Sequence, residues 1–152
     1  MNKQAMFTSI SEEWRTPKEL FDELNKEFHF DLDAAADHDN HLVNIAYFTK
    51  QNDALNSDWH KFGKRVWCNP PYGRNIGEWV RKGYFEALLK RCTVVMLIPA
   101  RTDTKWFHDY CLPAAEIRFI KGRLKFADKN GEVKGRAPFP SMIVIFRPLN
   151  WW

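Results

Sequence analysis

Three stretches predict an α/β fold: a mostly parallel sheet with an antiparallel strand pair at its C-terminal end and helices on both faces. Thr93–Ile98 is an unbroken apolar run closed by Pro99, the pattern of a strand buried on both sides in a parallel sheet. Arg65–Cys68 is a second β-branched and aromatic run, and Asn69-Pro70-Pro71 stops it, because successive prolines cannot continue a hydrogen-bonded ladder. Between the two, Ile76, Trp79, Val80, Tyr84, Leu88 and Leu89 recur at helical spacing over residues 76–90, with Arg81, Lys82 and Glu86 opposite. Strand, helix and strand thus surround an Asn-Pro-Pro-Tyr turn. In such sheets ligands bind beyond the carboxyl ends of the strands.

The remaining elements follow in chain order. Residues 1–13 are polar and read as loosely held. Leu20, Phe21 and Leu24 share a helical face, with Thr16 as the expected cap and Pro17 at the expected first helical position. Residues 28–33 alternate apolar and polar and predict a strand that ends in Ala34-Ala35-Ala36. Residues 43–48 fit either a short strand or a helix end, and residues 53–59 form a loop returning to the sheet. After Pro99, a helix capped by Thr102 or Asp103 is expected to run to about Cys111, where Pro113 ends it. Residues 116–121 and 141–146 read as an antiparallel pair. The connection between them is rich in turns and contains Asn130-Gly131.

At 152 residues and 18.0 kDa the chain fits one domain. Hydrophobic residues make up 45% of it, enough for a core, and of 7 Trp and 12 Phe most are expected to pack in it, although so many flat faces in a basic protein also suit base stacking. The charge is divided. Residues 1–60 hold 5 Lys/Arg against 12 Asp/Glu and residues 61–152 hold 18 against 7, which is −7 followed by +11. A basic half suits a polyanion and an acidic half suits a cationic or hydroxyl-bearing small molecule, although uneven solvated faces explain most single charge runs. Seven basic residues fall between Arg118 and Arg136, among them Arg123 and Lys125, against Asp128 and Glu132. The stretch fits a nucleic-acid-contacting hairpin or an ordinary solvated turn.

Cys68, Cys92 and Cys111 are odd in number and widely spaced, which suggests neither a disulfide framework nor a zinc site and points to a reducing compartment. The first residues lack the apolar core of a signal peptide and no apolar run approaches membrane-spanning length. A soluble cytoplasmic protein is expected, without a membrane and without an implied protein partner. Asp31, Asp33, Asp37, His38, Asp39 and His41 cluster in sequence, but their spacing matches no calcium loop or paired-histidine helix. No metal is expected.

Asn69-Pro70-Pro71-Tyr72 is the candidate for chemistry. The asparagine oxygen and the Pro70 carbonyl are two acceptors that can converge on one amine, the prolines remove two backbone donors and stiffen the turn, and Tyr72 adds a flat face. Taken alone, the tetrapeptide reads equally well as a strand-ending turn.

This motif resembles the catalytic turn of S-adenosylmethionine-dependent amino-methyltransferases. Residues 14–148 as a whole are similar to the phage and prophage branch of the DNA adenine-N6 methyltransferases. The matching segments, in order, are Trp14-Arg15-Thr16-Pro17, Asp31-Leu32-Asp33-Ala34-Ala35-Ala36, Asp53 before Leu55 and Trp59, and the turn itself. Residues 99–104, then Gly122-Arg123-Leu124-Lys125-Phe126, then Pro138-Phe139-Pro140-Ser141 complete the series. The resemblance implies a Rossmann-like methyltransferase fold, S-adenosylmethionine as methyl donor and double-stranded DNA as substrate. It implies that Asn69, Pro70, Pro71 and Tyr72 are catalytic, and that Thr16, Pro17, Asp33 and Asp53 line the donor site. It further implies that Phe126 meets the target base, while Arg123 and Lys125 fall in the expected DNA-contacting hairpin. Adenine must then leave the base stack to reach the turn. The three alanines stand where the wider superfamily has a glycine-rich loop, and alanine does not take up positive φ as glycine does.

Rival readings have distinct signatures. Cytosine-N4 methylation would use the same acceptor pair and give a different methylated nucleoside. A metal-dependent nuclease built on the Asp/His cluster would cleave DNA with Mg²⁺ and no methyl donor. A DNA-binding module without catalysis would not bind the donor.

Overall fold

The computed structural model describes residues 14–128, 130 and 132–149. The expectation for residues 1–13, and Gly131 of the predicted turn, lie outside them. Five strands form the main sheet: β1 (Leu32–Asp33), β2 (Arg65–Cys68), β3 (Thr93–Pro99), β4 (Ala115–Phe119) and β7 (Ser141–Phe146), in the order β1-β2-β3-β7-β4. β1, β2 and β3 are parallel neighbours, and β7 runs antiparallel to both β3 and β4. Four strands therefore share one direction and β7 opposes them from within. A separate antiparallel hairpin pairs β5 (Lys125–Ala127) with β6 (Val133–Arg136).

The apolar runs are buried as their composition requires. Val94 to Ile98 and Met142, Val144 and Phe146 are fully inaccessible, and Val66, Trp67 and Cys68 are closed off beside them. Helix α2 (Ile76–Leu88) lies against one face through Gly83, where an added Cβ would meet Met96 Sδ at 3.0 Å and Val94 Cγ1 at 3.2 Å. Helix α1 (Lys18–Phe28) covers the opposite face, Phe21 meeting the ring of Trp67 edge-on at 5.4 Å. The register pairs Val66 with Val94 and Trp67 with Val95, so residues one apart in a strand serve different helices.

Several local expectations are corrected. Thr16 does not cap α1, and Pro17 occupies the cap position instead of the first helical one. The predicted strand over residues 28–33 shrinks to Leu32–Asp33, because Phe28 completes α1. The helix then stops at His29, whose φ is 52°, while the Asn25 side chain accepts from the Phe30 N–H at 2.9 Å. Residues 43–48 run beside β1 through a parallel bridge from Tyr47 to Asp33. After β3, Thr104 caps the helical segment by accepting from the Phe107 N–H at 3.3 Å, in place of Thr102 or Asp103. The segment widens into a π turn over Phe107–Cys111 and continues through Pro113 to Ala114. A proline inside an ordinary helix clashes with the carbonyl four residues back, and the wider turn relieves that contact.

No helix among the described residues is long and apolar enough to cross a membrane. Cys68, Cys92 and Cys111 are buried and unbridged.

Candidate active site

The carboxyl ends of β1 and β2 open onto a cleft of about 540 Å³, a volume in the range of small-molecule sites. Its wall includes Thr16, Asp33, Asp53, Asn69, Pro70 and Pro71. Six of the predicted site residues, drawn from four separate stretches of chain, thus face one space.

Asp33 ends β1 almost fully buried. Its carboxylate accepts from the backbone N–H of Ala35 at 3.2 Å and of Leu42 at 2.9 Å. Burial outweighs these bonds and pushes its pKa up to about 6. The alanines keep to ordinary backbone: Ala34 N–H bonds to the Trp67 carbonyl at 2.9 Å, and none of residues 34–36 has a positive φ. The left-handed residue at the cleft is Asp53, with φ 50°, where it joins two short 3-10 turns. Asp53 is exposed and accepts from Asn56 Nδ2 at 2.8 Å.

The Asp53 loop is held from below. Trp59, wholly buried, donates its indole N–H to the Ala54 carbonyl at 2.8 Å. Glu86 of α2, also buried, accepts from the backbone N–H of Trp59 and of His60, both at 3.1 Å, and from Lys82 Nζ at 2.9 Å. Burial alone would raise the Glu86 pKa, but the hydrogen bonds from Lys82 and His60 hold it below the ordinary carboxylate range. Glu86, His60 and Asp58 are the described residues close enough together to share a metal. Their partners are protein groups already in place, including Lys61 on Asp58. The Asp/His series of residues 31–41 is not gathered into a ligand set: Asp31 accepts from the N–H groups of Lys64 and Arg65, and His41 stacks on Tyr47 at 4.0 Å.

The Asn-Pro-Pro-Tyr turn leaves β2 directly. Asn69 is partly exposed, its Nδ2 donating to the Trp14 carbonyl at 2.7 Å and to Thr16 Oγ1 at 3.1 Å. Its Oδ1 lies 2.7 Å from the Tyr72 hydroxyl, which is also 2.9 Å from the Leu97 carbonyl. Among the described residues nothing donates to the Pro70 carbonyl.

Tyr72 differs from the sequence picture of an open platform. It is 5% exposed and meets Phe126 and Phe139 edge-on at 6.2 and 5.6 Å. Phe126 is fully buried, edge-on to Trp14 at 5.4 Å. The two rings close on each other and present no free faces to a base. Burial raises the Tyr72 pKa well above its usual value, so its hydroxyl stays a donor. Pro17, Tyr72 and Phe126 do not line the cleft.

On the hairpin, Phe126 points inward while its neighbour Lys125 is exposed, directly opposite exposed Arg136 in the β5–β6 register. Like charges facing across strands destabilise a hairpin by themselves. Arg123 is exposed, with a long 3.4 Å bond to the Ala137 carbonyl. Arg118 does not join this basic surface, since Glu27 takes it in two bonds of 2.7 and 2.8 Å. The hairpin is tied to the site: Arg15 and Ala127 exchange two backbone hydrogen bonds of 3.2 Å, one residue before Thr16. Sequence reasoning missed the Trp14 carbonyl as a partner of Asn69, because a backbone oxygen 55 residues away leaves no side-chain signal. It also missed Trp79 and Trp67 as cleft wall, since both read as ordinary core positions.

A family model described as DNA N-6-adenine-methyltransferase (Dam) matches residues 4–151. A DNA N-6-adenine-methyltransferase of Haemophilus phage HP1 (strain HP1c1) is 33% identical over 154 residues, covering 97% of this chain and 86% of that protein. Another, of Escherichia phage T1, is 33% identical over 117 residues, 76% of this chain and 48% of that protein.

Proposed function

The chain belongs to the DNA N-6-adenine-methyltransferase family, and from that premise we infer that its cleft is where S-adenosylmethionine gives a methyl group to the N6 amine of a DNA adenine. The observation that carries the assignment of roles is the convergence of Asn69 and Pro70 with Asp33, Asp53 and Thr16 on one cleft.

The residues present suit the donor. Asp33 and Asp53 can face its cationic and amine groups, and Trp14 and Trp79 bring aromatic faces that favour a sulfonium. The donor supplies an electrophilic methyl carbon on a positively charged sulfur. The adenine amine is a weak nucleophile, because its lone pair is delocalised into the ring. Asn69 Oδ1 and the Pro70 carbonyl accept its two hydrogens, favouring the tetrahedral nitrogen that develops in the transition state. The nitrogen attacks the methyl carbon, the carbon–sulfur bond breaks onto sulfur, and the extra amine proton passes to water. No strong base is required. The sheet, with helices on both faces and β7 reversed within it, supports a Rossmann-like methyltransferase fold on a single domain.

For an adenine to reach the turn, the ring cluster of Trp14, Tyr72, Phe126 and Phe139 has to open. Its ties to the hairpin make DNA engagement by Lys125, Arg123 and Arg136 the natural trigger, with duplex DNA as the substrate that supplies the phosphates. Asn69→Ala is expected to lower methyl transfer at least about 100-fold, the scale of losing a transition-state hydrogen bond, with donor affinity nearly unchanged. The check is labelled donor plus DNA, followed by mass identification of the methylated nucleoside. Undiminished N6-methyladenine from this variant would refute the mechanism.

A further inference from the structure

The Asn69 amide is gripped by groups that the substrate does not supply. Its Nδ2 lies 2.7 Å from the Trp14 carbonyl and 3.1 Å from Thr16 Oγ1. A carbonyl oxygen only accepts hydrogen bonds. The Trp14 contact therefore permits one of the two amide orientations, with the NH₂ toward residues 14–16 and Oδ1 toward Tyr72. The reversed amide would set two oxygens against each other and offer an incoming amine a donor where it needs an acceptor.

The same contacts tune the oxygen. When both N–H bonds of an amide are donated to good acceptors, electron density shifts onto its carbonyl oxygen and strengthens it as an acceptor. A neutral side chain is thereby made more carboxylate-like without acquiring a charge. The Tyr72 hydroxyl has a single proton and two acceptors within reach, Asn69 Oδ1 and the Leu97 carbonyl. An amide oxygen has two lone pairs, so Oδ1 keeps one for the adenine amine while Tyr72 occupies the other.

We propose that Thr16, together with the Trp14 carbonyl, is a positioning residue for methyl transfer: it fixes and polarises the Asn69 amide through the 3.1 Å bond to Nδ2. This rests on Asn69 being the acceptor of the amine. It assigns Thr16 a task separate from binding the donor, and the two tasks have different kinetic signatures. A donor-binding threonine affects the donor concentration needed for half saturation. A positioning threonine affects the rate once donor and DNA are saturating.

The test compares Thr16→Val and Thr16→Ser in single-turnover transfer at saturating donor, with calorimetric donor binding and melting temperature measured on each. Thr16→Val is expected to slow the saturated rate about tenfold or more, with donor affinity within about threefold, and Thr16→Ser to restore it. A saturated rate unchanged in Thr16→Val, or equal loss in both variants, overturns the proposal. Should Thr16→Val not fold, Asn69→Asp decides. A carboxylate there faces the Trp14 oxygen and carries no proton to share with it. Transfer lost at pH 8 and partly regained in acid, where the carboxyl is protonated, supports the proposal; wild-type rates at pH 8, or no gain in acid, overturn it. Retained activity in Asn69→Ala would instead remove the premise, so the two failures are distinguishable.

Discussion

Asp33 carries the strongest pH signature in the site. Its folded pKa of about 6 exceeds that of an unfolded aspartate, so the native state holds the extra proton between about pH 4 and 6. The contribution of this group to stability is fully present below about pH 4 and is lost as pH rises through about 6. Glu27, Glu116 and Glu86 are shifted down and act in the opposite sense, their contribution fading in acid. Melting curves of Asp33→Asn and the parent chain should therefore differ by an amount that changes between pH 4 and 7 and is constant above. A cation bound beside Asp33 favours its ionised form, so donor affinity should rise about tenfold from pH 5 to pH 7. Calorimetry across that range, with Asp33→Asn as the flat control, tests it. Asp33 was legible in the sequence as a strand-end carboxylate. The role of Thr16 was not, because a helix cap and a partner for a distant amide call for the same hydroxyl.

Among the elements, α2 does two jobs. Its apolar side seals the sheet, while Glu86 reaches out to fix the loop that carries Asp53. Removing that carboxylate strands two backbone N–H groups and the Lys82 ammonium. Glu86→Ala should cost roughly 3 kcal/mol, seen as a lower urea midpoint, and should weaken donor binding through the loosened loop. Glu86→Gln, which keeps an acceptor, should be milder. Equal stability of Glu86→Ala and the parent would refute this account. The helix itself was readable from its spacing, as were β2, β3 and β7, whose apolar runs have few other homes. The strand predicted over residues 28–33 failed for a physical reason: alternation of Phe28, Phe30 and Leu32 arises equally when a helix end and a left-handed turn precede a very short strand. The order of strands was also beyond local pattern. Residues 141–146 pair antiparallel with the preceding strand as expected, although that strand is Ala115–Phe119 and not residues 116–121, and they also insert beside β3, a choice made by the whole sheet.

The division of charge along the chain becomes a division of surface. The acidic half supplies Asp33, Asp37 and Asp53 to the cleft, and the basic half supplies the hairpin with its facing Lys125 and Arg136. That like-charged pair works against hairpin stability and is relieved by a polyanion. Lys125→Ala and Arg136→Ala should each weaken DNA binding to a similar degree on unrelated sequences. Each should also reduce the slope of log affinity against log salt by about 0.7 to 0.9, the share of one phosphate contact. Salt titrations that leave the slope unchanged would place the DNA elsewhere. Tyr72 and Phe126 were expected from sequence to flank the target base; their closed arrangement was not legible, because it depends on Trp14 and Phe139 arriving from opposite ends of the chain.

The antiparallel β7 has a bearing on synthesis. The strand that fills the gap between β3 and β4 comes after both of them in chain order, and until it emerges Val94, Met96 and Ile117 have no neighbour on that side. Nascent chains lacking it carry an open, apolar pair of strand edges, a template for association with other chains. A chain ended at residue 140 should therefore be captured by chaperones or precipitate, and show none of the protease resistance of the chain that includes β7. Protease-resistant folding of that shorter chain would mean that the sheet forms in halves. Closure of the sheet between β3 and β4 thus waits on residues 141–146.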